Sequence, residues 1–516
     1  LEGSALPIGF DTETSGPSIV WRKKSRPDPY RAKLTGFSVS LGDSAWYVPV
    51  DHAEGGNIAD GYTNAFLQRL FDHVRTSFVL KVPRRLWAHN WKFDLQVMKN
   101  FGINYGNSSR HLFDSLVAGW LAGWGRNKQK LALKKLSIRF GYGASDTFEE
   151  VSKKRQARDI PIAELAPYAG RDPWLAVKLG ERAMECLARY DLVKHFSEVD
   201  MPLVEILRGV EEWGTPTDRA ELEKMRAELV SEAKALAEEF EELTTSTISV
   251  PVKQKVPSGE FYKNGNPKLK TVEVGVDVVR GANILNDHQV SRWLYEELKV
   301  WPTKVRLVKG GPLTRLERNG AGHYPVDKET LSKWLLLKDP LGRRLAELRL
   351  EHARRTKLIT TYLDPMVRLP EQYADGFLHC SYNLTGTETQ RFSSSNPNLQ
   401  NVPSRTEEGK RIRRALVARL GWTIIIFDYS QIELRLAAHL SQDEGLLAAY
   451  LFEEDLHQMT LDAMRVIWPE AQRGDAKINN FSTIYRISPG SLAVKIRNSE
   501  ENAQKSIEAF YKRYPR

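Results

Sequence analysis

The chain has 516 residues, with 75 Lys and Arg against 65 Asp and Glu, a formal net charge of +10 at pH 7, 41% hydrophobic residues and 10% aromatic residues. This composition excludes a disordered or fibrous chain, and at roughly 100 to 200 residues per domain the length predicts about three domains or subdomains. Only Cys186 and Cys380 are present, without a Cys/His cluster, which excludes a disulfide framework and a zinc site and points to a reducing compartment. The longest apolar bursts, such as Ile424 to Phe427, are far shorter than the about 20 residues that cross a bilayer. The positive balance favours an anionic partner, nucleic acid before an anionic membrane surface. The sequence opens on Leu1 rather than Met, so a longer or processed chain is expected.

In chain order, the first part alternates short strands with helices, an α/β pattern. Pro7 to Phe10 reads as a strand running into Asp11, and Leu34 to Val50 as two strands broken at Gly42-Asp43. Leu86 to His89 reads as a further strand, followed by a helix from Phe93 to Asn100 and a long helix from Ile162 to Tyr190 behind Pro161. From Val199 the pattern changes to amphipathic helices, the clearest being Arg219 to Leu243, expected to project as part of a helical hairpin. Pro251 to Thr271 carries Lys253, Lys255, Lys263, Lys268 and Lys270 and the turn signal Asn264-Gly265, and reads as a solvated, basic loop. Leu341 to Leu363 is an arginine-rich helical block with Arg343, Arg344, Arg349, Arg354 and Arg355. Trp422 to Phe427 reads as a buried strand that delivers Asp428, with a helix from Ser430 onward.

Asp11 and Glu13 stand two apart on the first strand, so both carboxylates share a face and can approach one cation. Hard oxygen ligands of this kind suit Mg²⁺ or Mn²⁺. Asp94 stands at a strand-to-helix junction, and Tyr168 and Asp172 lie at i and i+4 on one helical face. In this order Asp11/Glu13, Asp94 and Tyr168/Asp172 resemble the three exonuclease motifs of the DEDD family in its tyrosine-bearing branch. The resemblance implies a ribonuclease-H-like domain over residues 1–195 that removes nucleotides from a 3′ end. Asp11, Glu13, Asp94 and Asp172 would hold two metal ions, and Tyr168 would orient the attacking water.

The segment Asp428-Tyr429-Ser430-Gln431-Ile432-Glu433-Leu434-Arg435 resembles motif A of family-A DNA polymerases, the DNA polymerase I type. Thr387 to Pro403 resembles the family's template and primer contact segment, with Arg391 in place of its minor-groove arginine and Asn398, Gln400 and Asn401 as further DNA contacts. Arg473, Lys477, Phe481 and Tyr485 recur every four residues and form one stripe on a helix. Cations followed by rings suit a nucleoside triphosphate, and the segment resembles motif B, the fingers helix. The resemblance implies that Asp428 and Lys477 are catalytic and that Asp428 ligates two metal ions with help from the Tyr429 backbone. Glu433 would hinder a ribose 2′-OH, and His457 would contact the triphosphate. The implied architecture is α/β plus mainly α: the exonuclease domain, then a right-hand polymerase over 196–516. Its thumb would cover about 200–360, its palm portion about 361–450 and incomplete fingers about 451–516. The Lys-rich stretch after Pro251, the Arg-rich block after Leu341 and the run Lys410, Arg411, Arg413 and Arg414 would follow a DNA backbone.

The chain departs from the family's pattern at Gln390, Ser482 and Arg486, where glycine is usual, and at Phe392, where leucine is usual. No His-Asp-Glu occurs, so the second palm carboxylate of motif C is absent from this sequence. An incomplete sequence, an engineered truncation and a natural split polymerase with a companion chain all fit. With no 5′ nuclease before Asp11, the arrangement resembles the two-activity core of bacteriophage and some bacterial members. The implied partners are primer-template DNA, 3′ single-stranded ends, deoxynucleoside triphosphates and processivity or replisome factors. The implied location is a bacterial cytoplasm, that of a phage-infected host included, with an organelle as the alternative. The rival readings are an exonuclease with a DNA-holding platform and a non-catalytic primer-template subunit.

Overall fold

The alternation in Ile8-Gly9-Phe10-Asp11-Thr12-Glu13 produces the strand β1 (Ile8–Ser15), with Ile8, Phe10 and Thr12 on one face and Gly9, Asp11 and Glu13 on the other. It lies in a computed structural model that describes residues 6–21, 24–79, 86–106, 111–126, 131–144, 146–261, 267–298, 324, 326–335 and 339–515. The backbone divides into two compact units, Leu1–Trp422 and Thr423–Arg516.

In the first unit β2 (Ser18–Trp21) and β3 (Lys24–Pro27) form a small ribbon, and β4 (Lys33–Leu41), β5 (Ser44–Pro49), β6 (Leu86–Ala88) and β7 (Leu112–Asp114) join β1 in one sheet. The sheet order is β5-β4-β1-β6-β7, antiparallel from β1 through β4 to β5 and parallel from β1 through β6 to β7. The expected strands at Ile8, Leu34 to Val50 and Leu86 are all present, broken at Gly42-Asp43 as the turn signal indicates. Six helices accompany them: α1 (Asp60–Val79), α2 (Trp91–Asn100), α3 (Ser115–Leu121), α4 (Leu133–Arg139), α5 (Phe148–Ser152) and α6 (Ile162–Arg189). Phe10 stacks on Trp91 of α2 with ring centroids 5.4 Å apart and meets Phe71 of α1 edge-on. Both Phe10 and Trp91 are fully buried, each contributing roughly 2–3 kcal/mol of apolar burial.

On the other face of β1, α6 comes close because Gly9 has no side chain. A Cβ there would lie 2.3 Å from the backbone oxygen of Pro173. Pro173 sits inside α6 and has no N–H for the carbonyl of Ala169 four residues back. The Ser38 hydroxyl of β4 donates to that carbonyl instead, at 2.8 Å, so the gap in the helix ladder is filled from the sheet.

Beyond α6 the helix Arg219–Leu243 runs antiparallel to the helix Pro340–Leu358. Ion pairs Arg226–Asp364 (2.6 Å), Arg355–Glu232 (2.6 Å) and Arg344–Glu239 (2.7 Å) follow one another along the seam. Arg411 pairs with Glu221 and Glu228, and Arg354 with Glu408. The arginines expected to lie along DNA are thus largely engaged in holding helices together. The lysine-rich stretch is not a loop. Ser246–Phe261 pairs antiparallel with Pro267–Arg280, with Ile248 opposite Val278, Val250 opposite Val276 and Val252 opposite Val274. β-branched residues in register favour a ribbon over the expected coil. Lys263 and Asn264-Gly265 lie outside the described residues.

The second unit contains the helices Ile432–Ser441, Glu444–Leu451, Leu456–Ile467, Arg473–Ile484, Pro489–Ile496 and Glu500–Arg513. The buried strand expected over Trp422 to Phe427 is corrected: the segment has no regular structure, and Ile425, Ile426 and Phe427 are 70%, 86% and 88% exposed. A strand is buried by its neighbours, and among the described residues no strand pairs with this one. Among the described residues no helix is long and apolar enough to cross a membrane.

Candidate active sites

The first site gathers around the end of β1. Glu13 sits where the β1–β4 register shifts by one residue, a bulge that re-aims a strand side chain. Opposite it, Gly36 leaves room for the Tyr47 hydroxyl, which a Cβ would meet at 2.1 Å. Asp94 comes from α2 and accepts a 2.6 Å hydrogen bond from Thr12 Oγ1. Asp172 and Tyr168 come from α6, one turn apart. Asp11, Glu13, Asp94, Asp172 and Tyr168 are therefore brought together, the pairs Asp11/Glu13 and Tyr168/Asp172 as their spacing predicts.

Burial, reinforced by the neighbouring carboxylates Asp94, Asp172 and Glu13, raises the Asp11 carboxyl well above its usual range. Burial, then Asp172, pushes Glu13 up to about 8. Burial likewise pushes Asp94 up to about 7 against the bond from Thr12. Asp172 is raised by burial while Lys134, the Tyr168 hydroxyl and Arg171 pull it down. Four acids held this close want a cation. Their donor atoms are all oxygens, which fits Mg²⁺ or Mn²⁺. Yet among the described residues no three His, Cys, Asp or Glu side chains already converge as a metal-ligating group. Lys134 of α4 forms an ion pair with Asp172, with its ammonium 4.5 Å from the centre of the Tyr168 ring.

Sequence reasoning missed Lys134 and Asp114. Asp114 is buried and accepts from the backbone N–H groups of Asn90 (3.0 Å), Trp91 (2.9 Å) and Leu116 (2.9 Å). It caps α3 and fixes the left-handed turn at Asn90 that launches α2 and Asp94. An Asp before Ser-Leu at a strand end is a legible cap signal. Lys134 could have been found as a lysine inside the apolar frame Leu131, Leu133, Leu136 and Ile138.

The remaining predicted residues fall into three places. Arg391, Asn398, Gln400 and Asn401 lie in the first unit around the hairpin Ser381–Asn383 with Ser393–Ser395. The Asn398 side chain accepts from Ser394 Oγ (3.0 Å) and from the Asn401 N–H (3.2 Å), and Tyr362 donates to the Asn401 carbonyl. In the second unit Arg473 pairs with Asp455 at 2.6 Å, and the Lys477 ammonium is 5.9 Å from the Phe481 ring centre. His457 is only 4% exposed; its Nδ1 meets the Asn480 amide at 3.1 Å and its ring lies 5.7 Å from Phe481. Tyr485 ends the helix and is 63% exposed. Asp428 and Tyr429 are exposed on the irregular segment, ahead of Glu433 in the first turn of its helix. Two of the departures from glycine prove to be backbone positions that favour it: Gln390 has φ 62° and Arg486 φ 52°.

Residues 260–516 match the family model described as DNA polymerase family A. DNA polymerase I of Chloroflexus aurantiacus is 29% identical over 525 residues, covering 99% of this chain and 48% of that protein. DNA polymerase I of Pseudomonas aeruginosa is 30% identical over 535 residues, covering 100% of this chain and 50% of that protein. The chain thus spans about half the length of the curated relatives it matches. Its fold is similar to that of the POL domain of Pol1 from M. smegmatis, solved in complex with DNA primer-template and dNTP, with a TM-score of 0.68 at 20% identity, covering 99% of this chain and 73% of that one. Residues 260–516 are thus the part of the chain that matches DNA polymerase family A, and the similarity to DNA polymerase I runs along the whole chain.

Proposed function

We propose that this chain serves template-directed DNA synthesis from a primer 3′-OH with deoxynucleoside triphosphates, and that its N-terminal carboxylate site removes nucleotides from 3′ ends. The family match supports the polymerase half. The exonuclease half is carried by one observation: four carboxylates from three elements gathered at the end of β1, close enough that Asp94 and Asp172 raise the proton affinity of both Asp11 and Glu13. The mixed sheet order β5-β4-β1-β6-β7 supports the ribonuclease-H-like reading.

In this reading Asp11, Glu13, Asp94 and Asp172 hold two divalent ions, which when bound would supply an activated water and stabilise the leaving 3′ oxygen. Tyr168 orients that water through its hydroxyl. The paired helices Arg219–Leu243 and Pro340–Leu358, with the lysine-bearing ribbon, form the thumb. Arg391, Asn398, Gln400 and Asn401 contact primer and template. Arg473, Lys477 and His457 receive the triphosphate, Phe481 and Tyr485 the sugar and base. Glu433 selects against a ribose 2′-OH, and Asp428 with the Tyr429 backbone is the polymerase metal ligand. Triphosphate binding requires Arg473 to leave Asp455.

The test is a 5′-labelled primer on a longer template with Mg²⁺, with and without the four deoxynucleoside triphosphates, in the protein that contains this chain. Elongation with nucleotides and shortening without them is the expected result, with Asp428→Ala losing elongation alone. Elongation unchanged in Asp428→Ala would sink the polymerase assignment.

A further inference from the structure

Lys134 is delivered to the carboxylates by a fixed backbone. His89, half-buried, receives or donates at both ring nitrogens, to Ser115 Oγ (2.9 Å) and to the Leu131 carbonyl (3.0 Å). Ser137 Oγ donates to the Gly143 carbonyl at 2.8 Å and Arg139 to the Trp124 carbonyl at 2.8 Å, while Leu136 is fully buried. Of the two adjacent lysines, Lys135 is exposed. The Lys134 side chain is 15% exposed and that of Asp172 10% exposed where they meet. A long side chain in such a place has lost its rotamer freedom, which a surface lysine keeps.

The ammonium does electrostatically what a metal ion would do. Its charge opposes the repulsion that the neighbouring carboxylates exert on Asp11 and Glu13, and it pulls Asp172 down directly. It also takes a carboxylate oxygen of Asp172 that a divalent ion would need, and two cations cannot share that oxygen without repelling at contact distance. The geometry agrees: Asp172 is taken by Lys134 and Tyr168, and Asp94 by Thr12.

We propose that Lys134 is a positioning residue that holds Asp172 as the site's own cation, so that metal ions must displace its ammonium from Asp172 to bind, and that the phosphodiester of a bound 3′ strand end then receives it. This rests on the exonuclease reading of the site. A free ammonium expelled from a buried ion pair is costly unless another anion takes it. The strand's phosphate is that anion, so metal and strand bind cooperatively, each removing the obstacle to the other.

The experiment measures Mn²⁺ affinity by electron paramagnetic resonance on the whole protein, with and without a short single strand carrying a hydrolysis-resistant phosphorothioate 3′ linkage. Lys134→Met is expected to bind Mn²⁺ at least about tenfold more tightly than the wild type without the strand. The strand is expected to raise Mn²⁺ affinity severalfold in the wild type and much less in Lys134→Met. Lys134→Arg, which keeps the cation and the fold, is expected to bind no more tightly than the wild type. Equal or weaker Mn²⁺ binding by Lys134→Met, or tighter binding by Lys134→Arg, would overturn the proposal. On an Asp428→Ala background, which removes the other metal ligand named above, Mn²⁺ binding that survives Asp11→Ala with Glu13→Ala would overturn the reading of the site itself, a separate failure.

Discussion

Substituting Gly9 by alanine tests the site through a residue that touches no substrate. The added Cβ would lie 2.2 Å from Ser40 Oγ and 2.3 Å from the Pro173 backbone oxygen. Ser40 can turn its hydroxyl aside; the Pro173 oxygen belongs to α6 and cannot. A carbon and a carbonyl oxygen pack at about 3.3 Å, so α6 must retreat by about 1 Å, carrying Asp172 and Tyr168 away from Asp11. Overpacking of this kind costs roughly 1–3 kcal/mol, which lowers the melting temperature of a 150–250-residue domain by several degrees. A 1 Å misplacement of catalytic groups costs on the order of 10²-fold in rate. Gly9→Ala is therefore expected to fold, to melt several degrees lower, and to degrade a 5′-labelled single strand from its 3′ end about a hundredfold more slowly. Wild-type degradation and melting in this variant would refute the argument that close approach of α6 builds the site.

The raised carboxyls fix the sign of a pH effect in metal-free protein. Glu13 goes from 4.5 to about 8 and Asp94 from 3.8 to about 7 on folding, so the folded state holds the extra protons and stability falls as pH rises between those limits. The metal-free melting temperature should fall from pH 6 to 8.5, with Mg²⁺ restoring it at the upper end; a flat or rising profile would contradict the cluster. Arg486→Gly, at φ 52°, should stabilise the protein by about 0.5–1 kcal/mol by relieving left-handed strain, read as a higher urea midpoint; a lower midpoint would show that the arginine side chain matters more. Asp455→Asn keeps the caps to the His457 and Gln458 N–H groups but removes the charge that holds Arg473. It should bind deoxynucleoside triphosphate severalfold more tightly by fluorescence titration, and weaker binding would argue against a triphosphate role for Arg473.

The carboxylate cluster was legible in part because some of its signal is local: Asp11 and Glu13 two apart on a strand, and Tyr168 and Asp172 four apart on a helix, meet whatever the distant packing. The same holds for the stripe from Arg473 to Tyr485, which does lie along one helix and its cap. What misled was context. Trp422 to Phe427 has the composition of a buried strand, but burial is supplied by neighbours that a single segment does not encode. Arg344, Arg354, Arg355 and Arg411 looked like phosphate ligands, and beside the near partners Glu347 and Glu351 each has a carboxylate partner 105, 54, 123 or 190 residues away, at Glu239, Glu408, Glu232 and Glu221 respectively. The ribbon after Ser246 was hidden by its lysines, although its valines alternate in both strands. Lys134 was hidden for the opposite reason: charge density on a helix ordinarily means solvent, and only the fold shows which of two adjacent lysines turns inward.

The most direct test of the central claim is 3′ degradation of a 5′-labelled single strand in Mg²⁺ without nucleotides, comparing the wild type with Asp11→Ala/Glu13→Ala. The account predicts stepwise shortening by the wild type, loss of shortening in the double variant, and strand binding retained in both. A strand left intact by the wild type, or shortened equally by the variant, would contradict it.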